Sequence, residues 1–126
     1  MAIRIVPDEN QPSATIEISL EKPLPDYDLE EVEFPTPRDI DGVLVTQGFR
    51  DLVDDARGIL TELLEGTGLE IVQLTGAICP GDDLFRPGLW IVLHDRSVAP
   101  GHALSKDSLD RIHDFAAELS KRLQLV

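Results

Sequence analysis

LEIVQLTGAICPGDDLFRPGLWIVLH, residues 69–94, is the stretch whose reading decides the fold. Leu69 to Ile78 and Leu89 to His94 are rich in β-branched and aliphatic residues. The CPGDDLFRPG segment between them contains Pro-Gly, Gly-Asp and Pro-Gly steps, the composition of a loop that joins two neighbouring strands. LWIVLH is apolar at both odd and even positions. A half-exposed strand alternates, so a continuous apolar run predicts a central strand covered on at least one side.

Upstream, Ala14 to Leu20 alternates. Ala14, Ile16, Ile18 and Leu20 point one way, and Thr15, Glu17 and Ser19 point the other, as in a strand with one wet face. Ile3 to Val6 is a shorter β-prone run stopped by Pro7. The seven residues from Pro7 to Ser13, PDENQPS, supply the turn that makes these two runs a hairpin.

Two helices frame residues 69–94. Phe49, Leu52, Val53, Ala56, Ile59, Leu60, Leu63 and Leu64 recur at three- and four-residue steps, with charged residues opposite. Thr46 is the expected N-cap, and Gly66 and Gly68 suit a left-handed chain reversal. Gly58, mid-helix, costs about 1 kcal/mol relative to alanine, which a close packing contact would explain. From Ser105 to about Leu123 the stripe is Leu109, Ile112, Phe115, Ala116, Leu119 and Leu123. Here Ser105 is the expected N-cap, Asp107 lies in the first turn, and Leu104 and Leu109 are spaced as a hydrophobic staple.

The 126 residues are expected to form one domain. The predicted class is α+β: a two-layer sandwich with a mainly antiparallel sheet of four or five strands and two amphipathic helices on one face.

Residues 21–42 differ from the rest. EKPLPDYDLEEVEFPTPRDIDG has four prolines, which exclude a long helix and a central strand. LEEVEF within it suits a short edge strand, with Glu31 and Glu33 outward and Val32 and Phe34 inward. This Pro-rich arm carries eight of the chain's 24 Asp and Glu residues.

Across the whole sequence 11 Lys and Arg oppose those 24 acids, a net charge of −13. The cations are dispersed, and the nearest approach to a cluster is Lys121-Arg122. That excludes a nucleic-acid backbone or an anionic membrane surface as the expected partner. The N-terminal MAIRIVPDEN shows no basic stretch followed by a long apolar run, and no apolar run reaches the ~18 residues of a bilayer span. The single Cys79 forms no internal disulfide, which suits a reducing compartment. A cytoplasmic location is expected.

The leading functional expectation is a non-enzymatic protein-binding module that uses the arm against a basic protein. Its most concrete form is an immunity or inhibitor protein that neutralises a nuclease toxin. The expected contact residues are Asp26, Tyr27, Asp28, Glu30, Glu31, Glu33, Asp39 and Asp41, with Tyr27 and Phe34 as aromatic anchors. No cofactor or metal is expected. The rival reading is a small enzyme or a ligand- or metal-binding domain built on the Cys79–His102 loops. It would use His94, Asp95 and His102, with Cys79 and Asp82-Asp83 nearby in sequence. His94-Asp95 and His102 lack the helical spacing of zinc proteases, and no second Cys/His pair completes a structural zinc site. A third reading is a subunit of a homo-oligomer or larger assembly that uses the apolar strand Leu89–Leu93 or an exposed sheet face.

Overall fold

A computed structural model describes residues 3–20, 47–78 and 87–123. Among them lie β1 (Ile3–Pro7), β2 (Ser13–Ser19), α1 (Gln47–Leu64), β3 (Leu69–Ile78), β4 (Pro87–Asp95) and α2 (Lys106–Arg122). The four strands form one antiparallel, open sheet in the order β1-β2-β4-β3. The α+β class, the sheet and its two helices are as the sequence predicts.

β4 is central because it is the one strand apolar on both faces. It pairs with β2 from Ser13↔His94 to Ser19↔Gly88 and with β3 from Leu69↔Asp95 to Ile78↔Pro87. Alternation then places Leu89, Ile91 and Leu93 on the helix-covered face, in one core with Ala14, Ile16 and Ile18 of β2. Leu52, Ala56, Leu60 and Leu64 of α1 and Ile112, Ala116, Leu119 and Leu123 of α2 close that core from above. α1 lies over β3, α2 lies over β1 and β2, and the helices touch each other. Burial of each such leucine or isoleucine stabilises the fold by about 1.5–3 kcal/mol.

The helix ends follow their sequence signals. Ser105 takes an extended conformation (φ −68°, ψ 161°) and its hydroxyl accepts from the Ser108 amide at 3.2 Å. Leu104 is buried and Leu109 packs against the core, the two apolar ends that a staple requires. At the end of α1, Thr67 Oγ1 donates to the Leu64 carbonyl at 2.6 Å, and Gly68 turns the chain into β3 at φ +83°. The positive φ favours glycine at this position, and a Cβ there would also crowd Asp95 Oδ1 at 3.3 Å. Thr46, the expected cap of α1, lies outside the described residues.

Two expectations are corrected. Glu17 and Ser19, on the supposedly wet face of β2, are only 2% and 4% exposed. The alternation is right, but β2 is an inner strand. Glu17 stands in register between Arg4 of β1 and Trp90 of β4, and Arg4 Nη1 reaches its carboxylate at 2.7 Å. Gly58 has no packing reason: nothing lies within 4 Å of where its Cβ would be.

Candidate functional site

The eight expected contact residues of the arm, Asp26 to Asp41, lie outside the described residues, as do Phe34, the expected LEEVEF strand, Cys79 and the Asp82-Asp83 pair. Among the described residues, exposed acids lie in the β1–β2 loop (Asp8, Glu9), on α2 (Asp107, Asp110, Asp114) and, most densely, along α1 and its C-terminal end. Asp51, Asp54, Asp55, Glu62 and Glu65 are exposed and fall within one outward stripe, spaced by three, one, seven and three residues. Gly58 sits in the middle of that stripe. The apolar positions occupy the opposite side, so core burial and the acidic surface are set by the same 3.6-residue period.

The structure separates the rival site's residues. His94 and Asp95 are consecutive on β4, so their side chains leave opposite faces of the sheet. His94 is half-buried on the face away from the helices, Asp95 is 1% exposed on the helix side, and His102 is exposed in the following loop. Among the described residues no three His, Cys, Asp or Glu side chains are grouped as a metal ion requires.

Asp95 instead forms a polar junction where β4 hands over to α2. Its Oδ1 accepts from the Ser97 amide at 2.9 Å and from the Ser97 hydroxyl at 2.6 Å. Its Oδ2 faces the Ser108 hydroxyl at 3.5 Å, and that hydroxyl also receives the guanidinium of Arg111 at 3.4 Å and the hydroxyl of Ser105 at 3.2 Å. Burial pushes the carboxyl pKa up. The Ser97 hydroxyl and amide, the charge of Arg111 and the Ser108 hydroxyl outweigh it and hold Asp95 below its ordinary value. A carboxylate so supplied with donors is a poor proton acceptor. Its work is to hold a chain junction, because the backbone here also binds Pro12 and Gly68: Asp95 N–H donates to the Pro12 carbonyl and Arg96 N–H to that of Gly68.

The described surface also has an open groove of about 980 Å³ between the second half of α1, from Arg57 to Glu65, and the start of β3, Leu69 to Ile71. Gly58 lines it. Neither the groove nor the Asp95 junction is foreseeable from local sequence. The one signal for the groove is the glycine inside a strong helical pattern. For the junction, the paired Ser105 and Ser108 near the helix start are a signal only once Asp95 is known to lie beneath them.

No helix among the described residues is long and apolar enough to cross a membrane. No family model matches the chain, and neither a curated protein nor a solved structure does.

Proposed function

We propose that this chain is a small protein-binding module that recognises a basic protein through its acidic surface, with the arm of residues 21–42 as principal contact. The observation that carries the reading is the amount and placement of charge: −13 in 126 residues, with eight acids in those 22 positions. Charge of one sign accelerates encounter with an oppositely charged partner and aligns it before contact. The prolines at 23, 25, 35 and 37 reduce the conformational freedom lost when the arm docks. Tyr27 and Phe34 supply apolar anchors inside a charged rim, where most binding free energy concentrates.

Neutralising a basic toxin such as a nuclease fits this physical character. An acidic segment lying in a groove shaped for a polyanion takes the place of the substrate without undergoing its chemistry. The exposed stripe on α1 carries the same sign of charge.

The test is affinity capture from the native lysate at low salt. One bait is the chain itself, and the other has Asp26, Asp28, Glu30, Glu31 and Glu33 replaced by Asn or Gln. The reading expects a basic protein held by the first bait and lost from the second, with equal thermal stability of both. An equal catch by both baits, or none, rejects it.

A further inference from the structure

We draw no further inference here: the strongest candidate, the sheet face turned away from the helices, where Trp90 and Val92 of β4 stand beside Glu17 and Thr15 of β2, carries none, because nothing among the described residues shows what covers it.

Discussion

Asp95 shows how a single carboxylate can govern a junction between elements. Three donors from two serines converge on it, and Arg111 reinforces one of them. Asp95→Asn keeps the shape but puts an N–H₂ or a neutral oxygen where those donors point. It should cost about 2 kcal/mol in denaturant unfolding. The pH dependence has a definite sign. Because the folded-state pKa lies below the unfolded one, the folded state binds fewer protons. The contribution is present above the ordinary carboxylate range and is lost as pH falls through that range to the lower folded value. Acid titration of stability should be shallower for Asp95→Asn in that window. Gly58 carries the opposite expectation. Alanine there meets no atom within 4 Å and removes the glycine penalty, so Gly58→Ala should raise stability by about 0.5–1 kcal/mol. At Arg4 the loss runs through a neighbour: Arg4→Ala removes a 2.7 Å partner from a buried carboxylate. A cost of about 1 kcal/mol is expected, since Arg4 itself is 53% exposed.

At the scale of elements, the apolar period does most of the work, and it is readable without coordinates. The stripe from Leu52 to Leu64 and that from Ile112 to Leu123 are the buried faces of α1 and α2, and LWIVLH is the central strand. Ser105 behaves as its position before an apolar stripe implies. Ser105→Ala should lose about 1 kcal/mol, as thermal unfolding will measure. Ile91→Ala, in the middle of β4 and fully buried, should cost about 3 kcal/mol and mark the upper end of the series. What local pattern misses is the neighbour across a sheet or under a loop. Thr15, Glu17 and Ser19 read as a wet face because a strand's own sequence does not state which side chains its neighbours will set beside it. Only the order β1-β2-β4-β3 puts Glu17 between Arg4 and Trp90. Likewise His94, Asp95 and His102 are close in sequence and suggest one site. The pleat then sends the first two to opposite faces.

For the whole molecule, two separate demands are laid over one chain. Burial needs the aliphatic positions alone, which leaves the charged positions open to another use. The described helices keep them at the surface, as the outward stripe of α1 shows. Long-range attraction from a −13 surface is screened over about 8 Å at physiological ionic strength. Binding that depends on it must therefore weaken as salt rises, chiefly through slower association. The most direct measurement is the dissociation constant, over a series of salt concentrations, for whatever basic protein the affinity capture returns. It is to be made with the native chain and with the variant neutralised at Asp26, Asp28, Glu30, Glu31 and Glu33. The account predicts that the native affinity falls steeply with salt, and that the variant binds at least tenfold more weakly with a flatter slope. Equal affinities, or a native affinity indifferent to salt, would contradict it.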